Sequence, residues 1–361
     1  STSVTKSEAA GRYAPVPSSP WPGGAIILED GSPNHPGTIG GNNPNAADPY
    51  YQSLVGQDIF LFHRFAALGN RDSLAENTTS SYLGGFEGRV GMFDLDVGAR
   101  YVESRATDMG FNYVVGGLAQ IAITNGDYNI YDPYAADADT LSSFTATILR
   151  DMKTTSKEFY ASAGFDMFEM GGGMAAAVVG AEYREEFYQD NYDPLSEAGQ
   201  IVGSAGGSAS GSRDVTAAYF EALFSIIDNF EVNVAGRYDK YSDYGNDFAP
   251  KVSLRWQPMD NLTLRASYGE GFRAPSLDVL NAKPAFSAAF VTDRQTCLML
   301  TGSAACEIQT NTYQIAQEGL ESEQSEQIGL GGVWDATDWP NLTLDSYDTE
   351  VTNALPFVRI Q

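Results

Sequence analysis

The stretch from Glu231 to Pro275 alternates residue by residue between two chemistries, and few folds accommodate that. Val232, Val234, Gly236 and Tyr238 share one parity, while Glu231, Asn233, Arg237 and Asp239 share the other. Past a loop at Tyr244–Asp247, Val252, Leu254 and Trp256 alternate with Lys251, Ser253 and Arg255. A tight turn at Pro258–Asn261 follows, and then Leu262, Leu264, Ala266 and Tyr268 alternate with Thr263, Arg265 and Ser267. Side chains two apart lie on one face of a strand, so this pattern predicts three antiparallel strands. One face is apolar, with aromatics near the strand ends. The other bears full charges in nearly every strand.

Such alternation suits a soluble sandwich, with its charged face in water, as well as a membrane barrel with its apolar face in lipid. Repetition favours the barrel. Leu95, Val97, Ala99 and Tyr101 alternate with Asp94, Asp96, Gly98 and Arg100; Ala177, Val179, Ala181 and Tyr183 do so with Glu182 and Arg184 on the other parity. Ala218, Phe220, Ala222 and Phe224 flank Glu221 in the same way. Further strands are expected at Ile59–Ala67, up to Gly91, at Phe159–Phe165, at Ile328–Val333 and at Leu342–Tyr347, about eleven in all. Short turns (91–93, 168–173, 228–230, 258–261, 335–341) alternate with long loops (109–152, 191–211, 271–320), the asymmetry of outer-membrane barrels. No run of eighteen apolar residues occurs, so no transmembrane helix is expected. A barrel strand needs only about ten residues, half of them polar.

Residues 1–56, rich in Pro, Gly and Asn, read as one long surface loop. Leu141, Phe144, Ile148 and Met152 have nearly helical spacing, so a short helix is expected there, or else the start of a strand at Thr145–Leu149. Asp127, Asp132, Asp137 and Asp139 match no calcium-loop spacing and read as a solvated acidic loop. The formal charge of −26 leaves no basic patch for nucleic acid. The two cysteines, Cys297 and Cys306, suit one loop disulfide in an exported protein. His35 and His63, the two histidines, stand without a serine partner or a zinc motif. The chain therefore reads as a non-enzyme, with no metal and no cofactor.

Four blocks resemble the TonB-dependent receptors of Gram-negative outer membranes. Arg237–Gly245, RYDKYSDYG, is similar to their R-Y-D-x-Y-S-D-F-G strand and loop. Pro250-Lys251 followed by Trp256 and Pro258 resembles their P-K … W-x-P strand and turn. Gly271–Pro275, GFRAP, and Leu320–Ser325 leading into Gly329 resemble the next two blocks, in family order. The upstream half is similar more loosely, at Leu68–Arg71, Gly180–Arg184 and Tyr219–Glu221.

The resemblance implies an all-β, antiparallel transmembrane β-barrel in the cell outer membrane, of which residues 1–361 form part. In that reading residues 1–56 are an extracellular loop, residues 57–352 carry the strands and loops, and the family's plug domain and aromatic-ended last strand are absent. It implies TonB-coupled uptake of a scarce ligand: a ferric siderophore, a vitamin or an oligosaccharide. The partners implied are the plug domain of the same full-length protein, the TonB complex, outer-membrane lipid and the ligand. Arg100, Arg184, Arg237, Lys251, Arg255 and Arg265 are expected to face the lumen, because each would cost roughly 2–4 kcal/mol in mid-bilayer lipid. There they would pair with Glu182, Glu221, Glu231 and Asp239, grip the plug or guide an anionic ligand. A passive porin is the alternative, distinguished by an open channel.

Overall fold

The computed structural model describes residues 1–18, 23–204, 206–316, 319–335 and 341–354. Its strands are β1 (Thr2–Tyr13), β2 (Ile27–Leu28), β3 (Ile59–Phe60), β4 (Arg71–Val90), β5 (Phe93–Val114), β6 (Thr145–Met170), β7 (Gly173–Tyr192) and β8 (Ala209–Ile227). They continue with β9 (Phe230–Tyr241), β10 (Asn246–Met259), β11 (Leu262–Arg273), β12 (Ala285–Val291), β13 (Ile308–Gln314), β14 (Glu323–Trp334) and β15 (Leu342–Thr352). Eleven of them form one antiparallel sheet in the order β1-β4-β5-β6-β7-β8-β9-β10-β11-β14-β15. Each lies beside its neighbour in sequence apart from two inserted pairs, β2–β3 and β12–β13. This is an up-and-down meander, as the alternation predicts. Among the described residues the sheet is not closed, so β1 and β15 each leave one edge without a strand partner.

Several sequence expectations are corrected. Residues 1–56 are not all loop: Thr2–Tyr13 pairs with β4 over its whole length. Its pattern was hidden because both faces are small or polar, with Ser3, Thr5 and Ser7 on one and Lys6, Glu8 and Arg12 on the other. The apolar run Ile59–Ala67 is a strand only at Ile59–Phe60 and bends into a 3₁₀ turn at Ala66–Leu68. Its apolar residues serve a loop core instead. The strands are also far longer than their apolar stretches: β6 has 26 residues and β5 has 22. The expected loop 109–152 thus shrinks to 115–144, which holds helices at Gly116–Asn125 and Ala138–Ser143. The turn expected at 335–341 lies mostly outside the described residues, as does the chain end at Arg359–Gln361.

Register sorts the side chains into two faces. On the apolar face Phe86, Val97, Ala161, Ala181, Ala218 and Tyr238 stand opposite one another across six strands. Phe93 meets Phe165 near the short turns, with ring centroids 5.5 Å apart, and Tyr82 meets Tyr101 towards the long loops at 6.3 Å. Beyond Tyr101 the same face turns charged, with Lys157 opposite Tyr101 and Glu103 opposite Thr155. The boundary then steps towards the short turns along the sheet, from Tyr101 to Phe159 and Tyr183, then Tyr238 and Phe248, then Tyr268. A sheet whose strands tilt as they do in a barrel has this stagger.

At the long-loop end three segments share one core. Val16, Ile26, Leu28, Leu61 and Phe65 come from the first, Val114, Ile123, Tyr128 and Phe144 from the second, and Val202 from the third. Buried Asn34 ties the first two together. Its Nδ2 donates to the carbonyls of Ile123 (2.7 Å) and Tyr128 (2.9 Å), while its Oδ1 accepts from Ile130 N–H at 3.1 Å. Gly116 N–H donates to Gln200 O (2.9 Å) and Val202 N–H to Val114 O (2.8 Å), which fastens the third. These loops form a packed cap.

Candidate functional site

The charged face of the sheet is a wall of ion pairs. Arg100 stands directly opposite Glu158, and its Nη2 lies 2.6 Å from the carboxylate. Arg184 and Arg213 converge on Glu186 at 2.6 and 2.7 Å. Arg255 faces Glu231 at 3.5 Å. Two arginines reach further. Arg237 on β9 spans β8 to take Glu182 on β7 at 2.7 Å, and also holds Asp239 at 2.8 Å. Arg265 on β11 spans β14 to reach Asp345 on β15 at 2.8 Å.

Small residues in the spanned strands permit these reaches. Ala217 lies between Glu182 and Asp239 in register, and Gly331 lies between Arg265 and Asp345. A Cβ on Gly331 would fall 2.2 Å from Asp345 Oδ1 and 2.6 Å from Arg265 Nε. Gly180 likewise leaves room for Tyr219, over whose ring the Arg237 guanidinium sits at 5.7 Å.

The six cations singled out in the sequence therefore share one face. Five of them meet carboxylates there; Lys251 does not. Of the four acids named with them, Glu182, Glu231 and Asp239 are in ion pairs, while Glu221 accepts from Asn233 Nδ2 at 2.8 Å. Cys297 and Cys306 are joined in a disulfide (S–S 2.09 Å) on the arm between β11 and β14. His35 is fully buried, its two ring nitrogens against Gln57 O (3.0 Å) and Gly37 N–H (3.2 Å). His63 Nε2 lies 3.0 Å from Tyr128 Oη inside the cap. Burial holds the His63 imidazole below its usual pKa and pushes the Tyr128 phenol up to about 12. Asp137 accepts from Thr140 N–H at 2.8 Å and caps a helix.

At the long-loop end the same face hollows into a cavity of about 400 Å³. Tyr13, Arg71, Asp108, Tyr113, Arg150 and Tyr192 supply its walls. Arg150 is held by Asp190 through two bonds of 2.8 and 2.6 Å and lies 4.8 Å over the Tyr192 ring. Arg71 donates to Ala14 O at 2.9 Å and lies 5.7 Å over Tyr113. Arginines fixed against tyrosines present donors and aromatic surface to a bound molecule. This cavity has no local signature in the sequence, because its residues come from five strands and from a stretch that reads as loop. A larger groove of about 530 Å³, walled by Phe230, Leu254, Trp256, Leu264 and Leu330, lies on the opposite, apolar face, with Arg265 as the one charged residue in its lining.

A family model described as "TonB dependent receptor-like, beta-barrel" matches residues 21–359. The ferric enterobactin receptor PirA of Pseudomonas aeruginosa is 27% identical over 165 residues, which is 42% of this chain and 20% of that protein. Among solved structures, a variant of the ferric enterobactin receptor PfeA of Pseudomonas aeruginosa has a TM-score of 0.49 at 16% identity, covering 84% of this chain and 36% of that one. The siderophore receptor PirA from Acinetobacter baumannii has a TM-score of 0.48 at 17% identity, covering 86% and 38%. The chain thus spans about a fifth of the curated relative and little more than a third of these structures. With the family model matched along nearly its whole length, the chain belongs to the TonB-dependent receptor-like β-barrel family.

Proposed function

We propose that this chain forms part of the barrel of an outer-membrane receptor that takes up a scarce ligand by TonB-coupled transport. One observation carries the reading: the apolar face is broad, continuous and uncovered. Phe86 is 63% exposed, Phe159 57% and Leu330 60%, with no layer packed on them among the described residues. In water so large a patch is an association hazard; in a bilayer it is the required surface. From Phe93 to Tyr101 the strand rises about 26 Å, or about 20 Å of height at a tilt of about 40°, near the roughly 25 Å apolar band of such barrels. The ion-paired face then lines the lumen, and the cap and cavity stand at the extracellular mouth.

A ferric siderophore is the first ligand class to test, since the curated relative is described as a ferric enterobactin receptor; a vitamin or oligosaccharide follows. The plug domain and the TonB complex are the partners of this reading, and the cavity has no assigned reaction. The experiment is uptake of a labelled ferric siderophore by cells with and without the gene, before and after an uncoupler collapses the proton gradient. Uptake lost to the uncoupler with surface binding retained is expected. Gene-dependent uptake that ignores the uncoupler would replace this reading with a passive channel.

A further inference from the structure

The cavity at the long-loop end holds one cation and one anion that its own wall does not neutralise. Its other charges are spent. Arg150 is bidentate on Asp190, at 2.8 and 2.6 Å. Asp193 caps a short helix, accepting from the N–H groups of Leu195 and Ser196 at 3.0 Å each and from Ser196 Oγ at 2.7 Å. Arg71 and Asp108 remain, both half-buried. Arg71 uses its Nε on the Ala14 carbonyl at 2.9 Å, and its two terminal nitrogens meet no carboxylate among the described residues. Asp108 makes no hydrogen bond or ion pair among the described residues, although it stands opposite Arg150 in register. Register also keeps the two apart. Arg71 pairs with Tyr13, whereas Asp108 pairs with Ala75, four residues further along β4. Four residues of strand rise about 13 Å, so the two head groups line one hollow without meeting. Tyr113 stands between them: Arg71 lies over its ring at 5.7 Å, and its phenol feels both charges.

A purely anionic ligand would meet Asp108 as a like charge, and a purely cationic one would meet Arg71. Closing the hollow over either would strand an unpaired charge, which is costly. A molecule bearing one charge of each sign satisfies both. Resting on the receptor reading, we propose that this cavity is a subsite for a small zwitterion of the short-peptide class. Its carboxylate lies on Arg71, its protonated amine on Asp108, and its body against the rings of Tyr13, Tyr113 and Tyr192. A guanidinium offers a carboxylate two parallel donors, and an ammonium donates to a carboxylate in turn. The volume of about 400 Å³ falls at the small end of ligand sites, roughly 300–1,000 Å³. The gap between the two head groups suits the separated ends of a dipeptide, and not the adjacent charges of a single amino acid. A wholly anionic ligand is disfavoured here.

The test is calorimetric titration of the complete gene product in detergent with the dipeptide Ala-Phe, its N-acetyl form and its C-terminal amide. Ala-Phe should bind about tenfold more tightly than either blocked form, the difference of one charged hydrogen bond. Asp108→Asn should weaken Ala-Phe by about the same factor while leaving the N-acetyl form unchanged. Arg71→Gln should likewise weaken Ala-Phe and leave the amide unchanged. This crossed pattern assigns each end of the ligand to its own side chain, and a merely misfolded variant would weaken every probe alike. Equal binding of the three probes to the wild type, or binding of none, overturns the zwitterion subsite. So does a loss in either variant that spares no probe while its folded band is intact. The receptor reading is decided separately by the uncoupler: its failure appears as uptake indifferent to the proton gradient, and not in the titration.

Discussion

Arg237 illustrates how the charged face works at the level of single residues. Its guanidinium divides two bidentate contacts between Glu182 and Asp239, and Asp239 is only 2% exposed. Removing the arginine strands a buried carboxylate, and that penalty exceeds the lost attraction itself. Arg237→Ala should therefore destabilise the barrel by about 3 kcal/mol in urea unfolding from detergent micelles. Arg255→Ala should cost less than about 1 kcal/mol, because Glu231 lies 3.5 Å away and stays well hydrated. Equal losses would mean that burial does not rank these pairs. The cations of this face were legible in the sequence from parity alone. Their partners were only partly so: Glu231 lies opposite Arg255 in register, but Glu182 is two strands from Arg237 and Asp345 is two strands from Arg265.

The strand is the scale at which two-sidedness can be tested. On β9, Val234 pairs with Val252 and Ala222 on the apolar face, while Asn233 on the other face pairs with Ser253 and Leu223. An arginine at Val234 meets lipid and costs roughly 2–4 kcal/mol at mid-bilayer, whereas one at Asn233 meets water and Glu221. Val234→Arg should sharply reduce the heat-modifiable, folded band on a cold detergent gel, and Asn233→Arg should leave it near wild type. The same comparison holds on β11 for Leu264→Arg against Thr263→Arg. Equal losses in either pair would reverse the faces assigned here. Strand lengths, by contrast, were poorly legible. Above the aromatic boundary both faces of β5, β6 and β7 are polar, so period-2 contrast vanishes while the hydrogen-bond ladder continues to Val114, Thr145 and Tyr192.

Across the whole molecule, the cap joins loops that begin more than a hundred residues apart. Half-buried His63 packs against its aromatic core, with its ring 5.1 Å from Phe65 and 5.8 Å from Tyr128. Burial lowers its pKa in the folded cap, while in an opened cap it returns to about 6.5. The folded state thus binds fewer protons. The contribution of His63 to cap stability is complete above about pH 6.5 and is lost as pH falls through the lower folded value. Hydrogen exchange at Phe65 and Tyr128, corrected for intrinsic rates, should speed up between pH 7 and pH 5, and His63→Gln should flatten that dependence. An unchanged profile in the variant would assign the opening to other groups.

The sequence by itself determined the class of fold, ten of the eleven strands of the sheet, the two chemistries of its faces and the alternation of short turns with long loops. Each of these is written in local spacing, where a side chain's parity or a turn former acts on its own neighbours. Tertiary structure alone decided that Thr2–Tyr13 is a strand, that Ile59–Ala67 feeds a cap core, which carboxylate each arginine takes, and that Lys251 is left without one. Those outcomes depend on which strands lie side by side and in what register. That is fixed by hydrogen-bond ladders between residues distant in the chain, and no local period records it.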